Sequence, residues 1–321
     1  MKLVTIDMLP NSHIGVLVDK DIVLDLTAFS VVSSTASLVP KSMRKLLESG
    51  GAGMEAVAHS LAQVDSMTTS EKSILMDVGI LSPLNDISLL APIPNPKLIL
   101  SVGLNYWKHL EEMAGTPTPK CPAAFIKSRD SLSGSGSPIF VPPQCPDMLD
   151  YEGEFCFVFG EQCHNVSADK AMDYIVGYTI ANDVSARNWV GEVFEAKETF
   201  PAIHAWERNI NGKQLPGFTP CGPVLVTKDE ILDPHNLNLT LKLNGEIMQS
   251  TKTDDMIFKL PELISYFSKW YQFNPGDIVT TGTPAGVGFG REPKIFMKPG
   301  DVVEVEVEGI GVLSNKISAI N

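Results

Sequence analysis

From residue 98 onward the chain is a succession of short apolar runs, each the length of a strand and each broken by Gly, Pro or Asn. They cover residues 98–102, 155–159, 175–180, 224–226, 239–243, 277–281 and 302–307. Runs this short, bounded by turn residues, predict strands rather than helices. Asn244-Gly245, between residues 239–243 and 246–250, has the chemistry of a two-residue hairpin turn. Residues 261–270 are the exception: Leu263, Ile264, Phe267 and Trp270 repeat at a helical period. Such a chain predicts an α+β, β-rich fold of rolled mixed sheets.

Residues 1–90 read differently. They contain Phe29 and no Trp or Tyr, whereas all four Trp and all six Tyr follow residue 100. The change coincides with the proline-rich run Leu90-Ala91-Pro92-Ile93-Pro94-Asn95-Pro96, suited to a linker. The expected division is a small N-terminal α+β domain over residues 1–90 and a catalytic domain over residues 91–321. Strands are expected at 3–6, 14–18 and 22–26, and helices around 40–47 and 53–64. The N-terminal part is expected to cover the main domain and assist assembly.

Charge narrows the partners. A net charge of −13 on 321 residues argues against nucleic acid and against an anionic membrane surface. No apolar run approaches the ~20 residues of a membrane span. The start, Met1-Lys2-Leu3-Val4-Thr5-Ile6-Asp7, is charged too soon for a signal peptide. Five cysteines, with no Cys-x-x-Cys, read as reduced thiols in a cytoplasmic protein.

Within the predicted strands, Asp150-Tyr151-Glu152-Gly153-Glu154-Phe155 carries two carboxylates at i and i+2, which a strand directs to one face. Asp183 stands at the end of another apolar run, in Asn182-Asp183-Val184-Ser185-Ala186-Arg187. Converging carboxylates repel unless a cation lies between them. Oxygen-only donors favour Mg2+, Mn2+ or Ca2+ over zinc. A strand's polar face meeting water is the ordinary explanation of an isolated Glu-x-Glu, and other segments weaken it here. Asn105-Tyr106-Trp107-Lys108-His109-Leu110-Glu111-Glu112 follows a strand, and on a helix His109 and Glu112 lie three apart on one face. A carboxylate beside an imidazole fixes its tautomer and raises its basicity, which makes a general base. Taken alone the pair reads as a solvated surface pair. Lys213 precedes a Pro/Gly-rich approach to a strand and is placed to reach over the site. Thr280-Thr281-Gly282-Thr283-Pro284-Ala285-Gly286-Val287-Gly288 is placed to offer N–H groups and a hydroxyl to a substrate carboxylate. Its glycines have neither the spacing nor the following helix of a dinucleotide site, and the chain has no P-loop and no Gly-x-Ser-x-Gly elbow.

In this order and at these separations the segments resemble the fumarylacetoacetate hydrolase family, over about residues 91–321. Gly103-Leu104-Asn105-Tyr106 with His109 and Glu112 looks like the family's lid segment, over residues 105–115. Glu152, Glu154 and Asp183 look like its metal ligands, and Thr281-Gly282-Thr283-Pro284-Ala285-Gly286-Val287-Gly288 is close to its most recognisable string. The resemblance implies a mixed β-roll, a homodimer, and Mg2+ or Mn2+ on the three carboxylates, with Ca2+ accepted in crystals. It implies a small diketo or oxo acid as substrate. Catalytic roles fall on His109, Glu112 and Lys213, and substrate contacts on Tyr106, Lys127, Arg187, Gly282 and Thr283. Members cleave C–C bonds, decarboxylate oxaloacetate, or isomerise and hydrate 2-oxo-enoic acids.

The reading that follows is a C–C bond hydrolase in which His109, oriented by Glu112, takes a proton from water and Lys213 stabilises developing charge. A decarboxylase or isomerase on the same fold is the alternative, and a ligand-binding protein without turnover is a remote one. Two departures bear on substrate. Val190 stands where the family usually has a glutamine, and Gln214-Leu215-Pro216 replaces its Gly/Ser-Phe-Asp. Residues 194–211, with His204, Trp206 and Arg208, show no pattern that assigns them a role. With Trp189, Phe194 and Trp206 nearby, Val190 predicts a bulkier and less polar substrate than a simple acylpyruvate.

Overall fold

The computed structural model describes residues 1–8, 10–33, 38–113 and 116–320. The end of the expected lid, residues 114 and 115, lies outside them.

The main sheet has twelve strands. Across it, the order is Leu81–Pro83, Ile22–Asp25, His13–Asp19, Lys2–Ile6, Thr219–Thr227, Ile175–Asn182, Gly153–Phe159, Ile278–Thr280, Ile99–Gly103 and Ala123–Ile126, with two short strands attached. Along this path the neighbours are antiparallel except Ile278–Thr280 and Ile99–Gly103, which run parallel. A second sheet of five runs Glu246–Lys252, Asn238–Leu243, Val302–Val307, Gly311–Ala319, Ile139–Val141, its last pair parallel. The mixed α+β, strand-rich architecture expected from the short apolar runs is the one observed. Four of the seven predicted runs sit in longer strands, residues 98–102 are offset by one from Ile99–Gly103, residues 277–281 enclose the shorter Ile278–Thr280, and Val302–Val307 matches to the residue. Asn244 and Gly245 have φ of 53° and 83°, so the turn between Asn238–Leu243 and Glu246–Lys252 has both central residues left-handed, as a type I′ hairpin requires.

The strands of residues 1–90 form no separate sheet. Leu3 pairs with Leu225 and Lys2 with Val226, so the N-terminal hairpins extend the central sheet directly. The packing follows. One apolar cluster joins Val4, Ile6, Val23 and Leu89 to Phe155, Phe157 and Val226. The other joins Leu3, Phe29 and Leu46 to Cys156, Val158 and Ile278. Alternate residues of Gly153–Phe159 therefore face opposite cores, which is why the strand is apolar at nearly every position. Phe159 stacks on Phe273 with centroids 4.2 Å apart, and Phe155 on Tyr178 at 5.3 Å.

Four helices escaped the sequence pattern: Leu26–Val32, Thr69–Asp77, Val190–Glu195 and Thr199–Asn211. Thr69–Asp77 carries a readable start, since Thr68 and Glu71 form a reciprocal capping box. Thr199–Asn211 buries only Ala205 and Asn209, while Phe200, Ile203 and Trp206 lie exposed, so its apolar stripe is not turned into the core. The expected helix at 261–270 is Leu260–Phe267.

Close strand approach depends on glycine at one position. A Cβ on Gly177 would fall inside contact distance of the Val226 carbonyl, a backbone atom that cannot swing aside. Gly177→Ala is predicted to cost about 1–3 kcal/mol, as overpacking does. Gly51→Ala, where nothing lies within 4 Å of the added carbon, is predicted to leave stability unchanged or slightly higher. Thermal unfolding of the two variants followed by circular dichroism checks the contrast.

Candidate metal centre and active site

The centre is built where two antiparallel strands run past the end of their ladder. Gly153 pairs with Asn182 and Glu154 with Ala181. Beyond them the Asp183 N–H donates to the Glu152 carbonyl at 2.8 Å, and the Glu152 N–H donates to Asn182 Oδ1 at 2.9 Å. These bonds carry the pairing one residue further and gather Glu152, Glu154 and Asp183. One oxygen from each lies within 4.8 Å of the others, and all three residues are buried. No other such group of acidic, His or Cys side chains occurs among the described residues.

The three carboxylates are not neutralised alike. Glu152 accepts from the Arg187 Nη2 and, at 2.7 Å, from Lys213 Nζ. Asp183 accepts from Lys127 Nζ and from Lys213 Nζ at 2.7 Å. Glu154 has no ion pair among the described residues; the Gly282 N–H donates to it at 2.7 Å. Burial works against the charge of every group here. At Glu152 the Lys213 and Arg187 charges outweigh burial and hold the carboxyl below the usual range. At Glu154 burial, then Asp183 and Glu152, push it well above that range. The uncompensated position is thus a carboxyl facing two carboxylates. The donors are hard oxygens with no thiolate or imidazole in the set, which fits Mg2+, Mn2+ or Ca2+.

Supporting groups surround this cluster. Arg187 Nε donates to Asp150 Oδ2 at 2.9 Å, and Asp150 also accepts from the Gly288 and Phe289 N–H groups at 2.7 and 3.1 Å. Lys213 Nζ makes a third bond, to Ser185 Oγ at 2.6 Å.

On the helix Trp107–Glu112, His109 Nδ1 lies 3.0 Å from Glu112 Oε2. His109 is buried and Glu112 half-buried, so the pair is not the solvated surface pair its spacing alone suggests. Glu112 Oε1 accepts the Gly286 N–H at 3.0 Å, and Gly290 gives the carboxyl room, because a Cβ there would press on it. The dyad is therefore fixed by the glycine-rich string. A cavity of about 190 Å³ joins His109 to Glu152, Glu154, Asp183, Arg187, Lys213 and Thr283.

Several expected substrate contacts sit elsewhere. Tyr106 is fully buried in the apolar core and does not line the cavity. Lys127 lies beneath Asp183, with its ammonium also donating to the Phe218 carbonyl at 3.0 Å. The Gly282 N–H points to Glu154, and the Thr283 hydroxyl donates to the Gly153 carbonyl at 3.1 Å, although Thr283 does line the cavity. The N–H groups of Gly282, Gly286 and Gly288 thus serve the protein's own carboxylates. Lys213, expected over the substrate, has an acceptor for each of its three donors. Asp150, Gln249 and Asn105 were given no role by the sequence. Gln249 accepts the Gly153 N–H at 2.9 Å and donates to Thr283 at 2.9 Å. Asn105 ties the start of the lid segment to Phe258 and Thr281. A lone amide carries no motif, so only the fold reveals these partners.

The family described as fumarylacetoacetate (FAA) hydrolase C-terminal matches residues 98–318. The chain belongs to the fumarylacetoacetate hydrolase family. It is 38% identical over 309 residues to the oxaloacetate tautomerase fahd2, mitochondrial, of Xenopus laevis, covering 96% of this chain and 86% of that one. It is 34% identical over 321 residues to the oxaloacetate tautomerase YisK of Bacillus subtilis, covering 99% and 100%. Among solved structures, the fumarylacetoacetate hydrolase of Exiguobacterium antarcticum superimposes with a TM-score of 0.75 at 29% identity, over the whole of both chains. No helix among the described residues is long and apolar enough to cross a membrane.

The charge imbalance at Glu154 yields a signed prediction. Its folded-state pKa is raised, so its contribution to stability is full below the unfolded carboxylate value and is lost as pH rises through the folded one. A divalent cation takes the proton's place. The rise in Tm on adding Mg2+ or Mn2+ is therefore predicted to be larger at mildly alkaline than at mildly acidic pH. Glu154→Gln should raise the Tm of the metal-free protein and abolish the metal-induced rise, both read by calorimetric scanning.

Proposed function

We propose that this chain is a divalent-metal-dependent enzyme that transfers a proton to and from carbon on a small 2-oxo acid, interconverting keto and enol forms. The observation that carries the reading is that His109, paired with Glu112, and the Glu152, Glu154 and Asp183 cluster line one small cavity. The names of the relatives in Xenopus laevis and Bacillus subtilis support tautomerisation over hydrolysis.

Glu152, Glu154 and Asp183 would hold the Mg2+ or Mn2+, whose contribution is Lewis-acid polarisation of the substrate carbonyl. The remaining work belongs to side chains. Glu112 holds His109 through Nδ1, which leaves Nε2 as the nitrogen that accepts and returns the substrate proton. Glu112 stabilises the imidazolium while the proton is held, and the Gly286 N–H keeps Glu112 from turning away. Arg187 and Lys213 keep Glu152 ionised, and Lys213 holds Asp183 in place beside it. The apolar wall excludes water, which strengthens each of these interactions.

Hydrolysis of a C–C bond in a β-diketo acid is the second reading, favoured by the same dyad, because a base fixed by a carboxylate also activates water. The two are separated by product. Tautomerisation exchanges the C3 hydrogen of the oxo acid with solvent deuterium and leaves the carbon skeleton whole; hydrolysis yields two fragments. His109→Ala is predicted to lower turnover by roughly 10²–10⁴, the usual worth of a general base, with Mn2+ affinity unchanged. Proton NMR of 2-oxo acids in deuterated buffer, with and without a chelator, is the measurement. Equal rates for His109→Ala and the native enzyme, or full activity after exhaustive metal removal, would refute the proposal.

A further inference from the structure

Two helices that the sequence pattern did not reveal form the wall of the cavity away from the carboxylates. Val190–Glu195 presents Val190, Val193 and Phe194, and Thr199–Asn211 presents Trp206, Asn209 and Ile210. Each set has the i, i+3, i+4 spacing of a single helix face. Phe194 and Trp206 are also exposed on their outer sides, at 62% and 47%, so they form the rim. Five of these six side chains are apolar. Asn209 is the sixth. It is 5% exposed, and its Oδ1 has no hydrogen-bond partner among the described residues.

A buried amide oxygen without a partner is costly to keep, and it calls for a specific explanation. Its neighbours on the wall offer it nothing, since all are apolar. The amide presents an acceptor or, after a half-turn about its terminal torsion, a donor. The cavity's cations point to the kind of group that meets it. The Arg187 guanidinium is held by Asp150 and Glu152, and Lys213 has three acceptors for its three donors. A second carboxylate on the far end of a substrate would find no cation among the six described side chains of this wall and would add charge beside an already acidic cluster.

We propose that Asn209 is a substrate-recognition residue that hydrogen-bonds a neutral oxygen on the distal arm of the oxo acid, and that this arm is apolar and uncharged. The inference rests on the functional reading above and deepens it. An aryl- or alkyl-substituted 2,4-dioxo acid fits this wall, and a dicarboxylic oxo acid such as oxaloacetate fits it less well.

The test uses the Mn2+-loaded enzyme and three probes: oxalate, oxaloacetate and 4-phenyl-2,4-dioxobutanoate. Binding is read from Trp fluorescence by stopped flow before turnover. Oxalate reaches only the metal ligands and reports on that site alone. Native enzyme should bind the phenyl acid more tightly than oxaloacetate. Asn209→Ala should weaken the phenyl acid roughly tenfold or more, the worth of a hydrogen bond lost in a buried site, and leave oxalate unchanged. Asn209→Leu should do the same while keeping or raising the Tm, because it removes an unpartnered amide. Unchanged binding of the phenyl acid in Asn209→Ala, or tighter binding of oxaloacetate by the native enzyme, overturns the inference alone. A fall in Tm in both variants marks Asn209 as a structural residue and overturns it too. If oxalate fails to bind the Mn2+-loaded native enzyme, the metal-centre reading itself falls, and the inference with it.

Discussion

Everything around the cavity answers to one constraint: carboxylates brought together out of water. Glu152, Glu154, Asp183 and Asp150 are all buried, and so are the three cations beside them, Lys127, Arg187 and Lys213. Burying an ion without a partner costs several kcal/mol, so the cluster survives only because most members have partners in good geometry. Burial alone would strip the charge from Lys213, yet Asp183 and Glu152 hold its pKa above the ordinary value. Arg187 is raised against burial in the same way by Glu152 and Asp150. Lys127 differs: burial prevails over Asp183 and lowers it. Glu154 is the member without a cation, and its place beside two other carboxylates defines where a divalent ion fits.

The fold maintains this unstable arrangement by anchoring both strands that carry it. Gly153–Phe159 and Ile175–Asn182 lie in the interior of the main sheet, with neighbours on each side. Their aromatic and β-branched residues fix the register, and a one-residue slip would turn Glu154 from the cavity into an apolar core. The second sheet locks the position from the other side: a Cβ on Gly153 would press on Val305 and Leu241. The glycine-rich string then supplies N–H groups to Glu154, Glu112 and Asp150. It serves as a belt joining the carboxylate cluster to the His109–Glu112 pair.

The strands, the hairpin at Asn244-Gly245 and the convergence of Glu152 with Glu154 were legible because they depend on local period and turn chemistry. The proximity of Asp183 was legible only through resemblance, since its pairing with Glu152 spans a long connection. The protein partners of Lys213, Gly282 and Thr283 were not legible for a shared reason. A lysine or a glycine-rich turn looks available to ligand in sequence, and only the fold reveals the carboxylates at Lys213 and Gly282 and the Gly153 carbonyl at Thr283. Tyr106 was misplaced because its neighbours in the lid segment face the site while its own ring packs inward. The wall of Val190–Glu195 and Thr199–Asn211 was missed because the first helix is too short to show a period and the apolar residues of the second, Phe200, Ile203, Trp206 and Ile210, are interrupted by Pro201, His204 and Arg208. Of the residues behind the expected bulkier, less polar substrate, Val190, Phe194 and Trp206 line the cavity and Trp189 does not.

The central claim is that Glu152, Glu154 and Asp183 form a site for one divalent cation. Anomalous diffraction from crystals grown with Mn2+ tests it most directly. The account predicts a single strong manganese peak in the cavity, at bonding distance from an oxygen of each of the three carboxylates. A cavity without such a peak under saturating Mn2+, or a peak bound by other residues, would contradict it.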